Sequence, residues 1–194
     1  MTYSTEISKE ELLELPLARF EGDIHIIDDI KDVRKAVKHL RKHPILGFDT
    51  EKKPTFKKGQ YHPTALVQLS DPENAFLFRI NHTGFHPAIK ELLEDISIRK
   101  IGLGIKDDLE NLGRLGPFSP GGFVELFHIT KEMGIRQTGL RNLAAIFLEM
   151  RISKNQQTSN WENGTLTESQ AHYAAMDAWV CREIYDMLEI KGYL

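Results

Sequence analysis

Asp49 and Glu51 stand one residue apart at the end of a short apolar run, Ile45-Leu46-Gly47-Phe48-Asp49-Thr50-Glu51. Side chains alternate between the faces of a strand, so these two carboxylates share one face while Phe48 and Thr50 share the other. Two acids held a few ångströms apart repel unless a cation neutralises them. Hard divalent ions such as Mg²⁺ and Mn²⁺ take oxygen ligands of this kind. Read alone, the pair would equally well mark a strand that meets solvent.

Two further stretches carry unexpected acids. In Gly104-Ile105-Lys106-Asp107-Asp108-Leu109-Glu110-Asn111-Leu112, an apolar strand runs into carboxylates at its C-terminal end, the edge at which open α/β sheets bind ligands. Asp108 lies four residues before Leu112, on a helix face that must meet the core, whereas Asp107 lines up with Asn111; Asp108 is therefore read as the inward acid. Both would also suit a helix N-terminus. In Tyr173-Ala174-Ala175-Met176-Asp177-Ala178, the tyrosine and the aspartate share one helical face among small apolar residues. An Asp on a core-facing helix side is costly without a partner such as a metal. Asp49, Glu51, Asp108 and Asp177 come from three separate elements. Four oxygen-only ligand groups around one point suit two divalent ions, which stabilise the attacking and leaving oxygens of a phosphoryl displacement.

The elements that must position these groups follow from periodicity and punctuation. Ser8 with Glu11 predicts a short capped helix that Pro16 ends. Ile24-His25-Ile26-Ile27 reads as a strand, and Asp28 or Asp29 caps a helix with Ile30, Val33, Val37 and Leu40 on its apolar side. His43-Pro44 stops it before the strand that carries Asp49 and Glu51. Residues 64–70 alternate and residues 75–80 complete a hairpin through the turn at Asp71-Pro72-Glu73-Asn74. Three successive strands without intervening helices imply an antiparallel meander. Helix and strand then alternate: helix 87–95, strand 100–105, helix 106–115, strand 122–126, a helix around 128–133 and an apolar helix 140–149. After a polar loop at 151–164, Thr167 and Gln170 form a capping-box spacing for a last long helix. The expected fold is α/β, a mixed sheet in which the meander precedes parallel strands, with helices on both faces. Residues 1–22 read as an N-terminal leader and 23–194 as one domain.

Composition narrows the function classes. The 194 residues carry 25 Lys and Arg against 28 Asp and Glu, a net charge of −3, which argues against non-specific coating of nucleic acid. It leaves room for an enzyme that holds one strand end. No apolar run reaches the length of a membrane span, residues 1–6 lack a signal-peptide pattern, and a single cysteine, Cys181, points to a reducing cytoplasmic setting.

At these residues the chain resembles the DEDD-type 3′–5′ exonucleases of the ribonuclease H-like fold. Phe48-Asp49-Thr50-Glu51 looks like the first exonuclease motif, residues 102–112 like the second, and Tyr173-Ala174-Ala175-Met176-Asp177 like the third in its tyrosine (DEDDy) form. Within that group it is similar to the exonuclease domain of the Werner syndrome helicase and its small stand-alone relatives; Ser159-Asn160-Trp161 fits that branch. The resemblance runs from about Ile24 to the C-terminus. It implies a metal-dependent exonuclease that uses two Mg²⁺ or Mn²⁺ ions and releases nucleoside 5′-monophosphates from 3′ ends of DNA or RNA. Asp49, Glu51 and Asp177 would hold the first ion. Asp49, helped by Asp108, would hold the second, and Tyr173 would orient the attacking water. Asp107 would replace Asp108 if its helix starts one residue early.

Around these groups, Thr50, Lys53, Lys106, Lys154 and Trp161 are candidate substrate contacts, Trp161 by stacking or, alternatively, as a buried anchor. Arg151 and Gln157 could line the same path. The basic loop 52–61, with Phe56 and Tyr61 interleaved, could contact backbone and bases. The rival reading is a catalytically silent binding module on the same fold. No Gly-rich loop with Lys-Ser/Thr supports a P-loop NTPase, and Gly102-Leu103-Gly104 is better explained by close backbone packing than by dinucleotide binding.

Overall fold

The computed structural model describes residues 3–57 and 59–194; Lys58, one of the basic-loop residues, lies outside the described residues, as do Met1 and Thr2. Among the described residues, six strands form one sheet: β1 (Asp23–Ile27), β2 (Ile45–Lys52), β3 (Thr64–Ser70), β4 (Asn74–Arg79), β5 (Arg99–Gly102) and β6 (Phe123–Glu125), in the order β1-β4-β3-β2-β5-β6. The meander is present, since β2 pairs with β3 and β3 with β4 antiparallel. β1 joins β4 in parallel, β5 joins β2 and β6 joins β5 in parallel. This is the expected mixed sheet.

The helices are α1 (Lys9–Glu14), α2 (Ile30–Leu40), α3 (Ile80–Thr83), α4 (Pro87–Glu94), α5 (Ile105–Gly113), α6 (Leu126–Glu132), α7 (Leu140–Leu148) and α8 (Glu168–Ile190). Their starts are chemically specified. Ser8 and Glu11 form a capping box at α1, Asp29 rather than Asp28 caps α2, and Thr167 with Gln170 closes the box at α8. One core layer sets α2, α4 and α5 against Leu46, Phe48, Val67, Leu69, Phe76 and Phe78. On the other face, α7 and α8 pack over Ile101, Ala75 and Ile45.

Four details differ from the periodicity reading. Ile30 is 56% exposed, so the apolar side of α2 begins at Val33. β3 is buried along its whole length, because helices cover both faces of the sheet's centre. Ile80 turns into the one-turn helix α3 instead of ending β4. β5 stops at Gly102 because Gly104 takes φ 73° and the Glu125 carboxylate accepts from the N–H groups of Gly104 (2.9 Å) and Ile105 (2.8 Å), starting α5 early.

The segment before β1 packs onto the domain. Leu17 bridges to Arg151, with Ala18 N–H donating to the Arg151 carbonyl at 2.9 Å and Arg151 N–H to the Pro16 carbonyl at 2.9 Å. Phe20 is buried within the α8-side core. No helix among the described residues is long and apolar enough to cross a membrane.

Candidate active site

Two close backbone approaches set the site. Gly47 lies on the α8 face of β2, where a Cβ would stand 1.9 Å from the Ala178 carbonyl oxygen. Only glycine admits α8 that near. The contact places Asp177, the residue before Ala178, opposite Asp49, two residues after Gly47 on the same strand face. At Gly102 a Cβ would meet Ile105 Cγ2 at 2.3 Å and the Phe48 carbonyl at 3.0 Å. Close packing therefore explains the Gly102-Leu103-Gly104 run. A register irregularity between Glu51 and Lys52 interrupts the β2–β3 ladder next to the acids, before its last pair at Lys52 and Thr64.

Asp49, Glu51 and Asp177 each bring a carboxylate oxygen within 4.8 Å of the others. Among the described residues no Lys, Arg or His forms a salt bridge with any of the three, nor with Asp108. Burial, then the charges of Asp177 and Asp108, pushes the Asp49 carboxyl well up. Burial, then Asp49, Asp177 and Asp108, raises Glu51 to about 10. Burial also raises Asp177, against the opposing pull of the Tyr173 hydroxyl and Lys154. Crowded, unpaired carboxylates of this sort form an incomplete electrostatic unit, and an oxygen-only donor set fits a hard divalent cation.

Asp108 is the inward member of its doublet. α5 starts one residue earlier than periodicity implied, yet Asp107 is exposed while Asp108 Oδ1 accepts from Thr50 Oγ1 at 2.5 Å. The helix turn, and not the exact start, decides which acid faces the strand. Burial lifts Asp108 to about 6, with the Thr50 hydrogen bond and Lys52 acting in the other direction. Asp108 lies outside the tight trio, held by Thr50, and its charge still bears on Asp49 and Glu51.

A cavity of about 340 Å³ opens on the trio, lined also by Thr50, Arg141, Ser153, Lys154, Gln157 and Tyr173. A second cavity of about 380 Å³ shares Ser153 and Tyr173 and is walled by Leu17, Arg19 and His172. Tyr173 stands between the two. Burial, then the charges of Asp177 and Glu51, pushes its hydroxyl pKa far up, so the phenol stays protonated. Cys181 lines the first cavity as a buried thiol whose pKa burial raises.

The other candidate contacts separate. Thr50 and Lys154 line the cavity, as does Gln157. Lys53 pairs with Glu162 at 3.5 Å, and Lys106 is exposed; neither lines the cavity. Trp161 is fully buried against Ala65, Leu66 and Ala174, its ring 6.0 Å from that of Tyr173. It has no open face for a base, so the stacking expectation is corrected to that of an anchor beneath Tyr173. The loop around it is pinned twice more. The buried Arg79 guanidinium donates to the carbonyls of Asn163 and Gly164, and Gln170 Nε2 donates to Ser159 Oγ at 2.7 Å. Trp161→Ala should cost about 3–5 kcal/mol of stability by denaturant unfolding; a loss under about 1 kcal/mol would contradict the anchor.

Two residues carry no motif and are placed only by the fold. Arg141, in the first turn of α7, faces the cavity from a helix end that favours anions over cations. Its misplacement relative to the helix dipole is the one signal in the sequence. Gln68 sits directly opposite Asp49 in the β2–β3 register, fully buried, with neither amide atom bonded to a protein partner. Cross-strand neighbours share a face, so its amide is directed into the layer that holds Asp49. A glutamine amid Ala-Leu-Val and Leu is the corresponding clue.

A profile of the 3′–5′ exonuclease family matches residues 24–192. The chain is 33% identical over 188 residues to the mouse bifunctional 3′-5′ exonuclease/ATP-dependent helicase WRN, covering 92% of this chain and 13% of that protein. It is 27% identical over 209 residues to the human exonuclease mut-7 homolog, covering 93% and 24%. The chain thus spans less than a quarter of the length of either relative. Among solved structures, the Aedes aegypti Nibbler EXO domain superposes with a TM-score of 0.80 at 20% identity, covering 90% of this chain and 92% of that one. Escherichia coli RNase D gives 0.76 at 23% identity, covering 89% and 47%. These structures share the ribonuclease H-like fold with this chain.

Proposed function

This chain belongs to the 3′–5′ exonuclease family, and we propose that it removes nucleoside 5′-monophosphates one at a time from the 3′ end of a nucleic-acid strand. The supporting observation is the convergence of Asp49, Glu51 and Asp177 within 4.8 Å in an open cavity, with no salt bridge to any of the three among the described residues. Asp49, Glu51 and Asp177 would hold one divalent ion, and Asp49 would share a second with Asp108 behind it. Bound Mg²⁺ or Mn²⁺ would supply charge neutralisation at the phosphodiester and a water of lowered pKa. The remaining work belongs to the chain. Tyr173, kept neutral by burial and the acids around it, cannot act as a base; its hydroxyl orients the attacking water. Lys154 and Arg141 face the acids across the cavity and suit the phosphates of the terminal linkage. Phe56, 82% exposed in the loop after β2, offers a ring on which an unpaired base can stack. The second cavity, across Tyr173, continues the path for the rest of the strand.

The test is digestion of 5′-labelled DNA and RNA oligonucleotides with Mg²⁺ or Mn²⁺. The expected product is a ladder that shortens from the 3′ end, and the preferred polymer is read from the two arms. Tyr173→Phe should lower kcat by about 10²-fold with KM little changed, since the hydroxyl orients water and not substrate. No ladder on either polymer with either metal would leave the silent binding module as the better reading.

A further inference from the structure

The turn between β3 and β4 gathers a second cluster of different chemistry. Asp71 follows β3 and is fully buried. Its Oδ1 accepts from the backbone N–H groups of Glu73 at 2.9 Å and Asn74 at 2.8 Å, and from Asn74 Nδ2 at 3.1 Å. The Asn74 carboxamide is oriented in turn by His25, whose Nε2 lies 3.0 Å from Asn74 Oδ1. The other Asp71 oxygen, Oδ2, accepts from Asn74 Nδ2 at 3.3 Å and faces the C-terminal end of α2. There His39 Nε2 stands 2.8 Å away and His43 Nε2 3.5 Å away. The two imidazoles stack with centroids 5.4 Å apart, and His39 also leans on Phe76.

Two imidazole nitrogens converge on one buried carboxylate oxygen, and only that of His39 stands at ordinary hydrogen-bond length. They make a good ligand set. One ligand atom from each of His39, His43 and Asp71 lies within 4.8 Å of the others. A tetrahedral ion at ordinary Zn–N and Zn–O lengths spaces its ligands by about 3.3 Å, between and close to the two observed separations. The imidazole side chains are 36% and 32% exposed, so a fourth position opens to water. The hydrogen bonds on Oδ1 fix the carboxylate as outer partners fix a metal ligand. Nitrogen donors also set this cluster apart from the oxygen-only cleft, since they select zinc-like ions over Mg²⁺.

We propose that His39, His43 and Asp71 bind one zinc-class transition-metal ion, separate from the carboxylate cleft, which clasps the end of α2 to the β3–β4 turn. The inference does not depend on the exonuclease reading.

The test is Zn²⁺ titration of the full chain, followed by competition with a chromogenic chelator, in wild type, Asp49→Ala, His39→Gln and His43→Gln. The expected result is one equivalent bound by wild type and by Asp49→Ala, with affinity lower by about 100-fold in either histidine variant. Glutamine keeps a polar group beside Asp71. In case the variants fold poorly, the imidazole NMR signals of the wild type give an independent reading. Zn²⁺ should shift those of His39 and His43, and Mg²⁺ should leave them in place. Zn²⁺ binding that survives in both histidine variants, that vanishes only in Asp49→Ala, or that is absent altogether would overturn the proposal and leave the cluster as a hydrogen-bonded histidine–aspartate pair.

Discussion

Asp49→Ala is expected to lower exonuclease turnover by about 10³-fold or more while making the metal-free protein harder to melt. The first effect follows because Asp49 belongs to the trio that would hold the reacting phosphodiester's counter-charge, a contribution of several kcal/mol at about 1.4 kcal/mol per tenfold. The second follows because burial and two neighbouring carboxylates, Asp177 and Asp108, oppose the ionisation of Asp49. Removing it relieves part of the repulsion among the clustered acids. Millimolar Mn²⁺ should raise the melting temperature of wild type and leave that of Asp49→Ala nearly unchanged. The pH dependence has a definite sign. Glu51 and Asp108 bind protons more tightly folded than unfolded, with folded values of about 10 and about 6. Their effect is therefore absent below about pH 4, and metal-free stability falls as pH rises through about 6 and beyond neutrality. A metal-free melting temperature that climbs over that range in wild type, or an Asp49→Ala protein less stable than wild type without metal, would remove the clustered site.

Gly47→Ala should be nearly as damaging, though Gly47 touches no substrate. The added methyl would stand 1.9 Å from the Ala178 carbonyl oxygen and 2.5 Å from Ser70 Oγ, and the carbonyl is backbone that cannot swing aside. β2 and α8 must part, at about 3 kcal/mol by denaturant unfolding. Asp177 moves with α8 away from Asp49, and misplacement of about 1 Å at a reacting centre costs about 10²-fold in rate. Gly113→Ala, at the end of α5 with nothing within 4 Å of the new methyl, is the matched control and should stay within about 0.5 kcal/mol of wild type. A Gly47→Ala protein as stable and active as that control would mean that the strand–helix approach does not position the acids.

Much of this arrangement is legible in the amino-acid order alone, because the informative residues violate local expectation. Acids at strand ends and on a core-facing helix are costly, and that cost marks Asp49, Glu51, Asp108 and Asp177. Capping chemistry places the starts of α1 and α8 because Ser8 and Thr167 act on backbone within three residues. What stays hidden depends on tertiary contact. The pairing of β1 with β4 joins segments some fifty residues apart in sequence. The burial of Trp161 depends on β3, β4 and α8 closing over it. Arg141 enters the cavity only because α7 docks beside α8, and Gln68 gains meaning only from its register opposite Asp49. Lys53 and Lys106 look like phosphate contacts by proximity along the chain, and in the fold neither lines the cavity.

The three carboxylates of the trio lie on elements separated by most of the chain, with Asp177 on the last helix in sequence order. During synthesis the chain therefore carries Asp49 and Glu51 for more than a hundred residues before their partner exists. Domains fold as units when their last packing element arrives. A nascent chain that ends before α8 has a sheet without its cover and a site without its third acid, so the proposed metal site cannot assemble until the last helix is made.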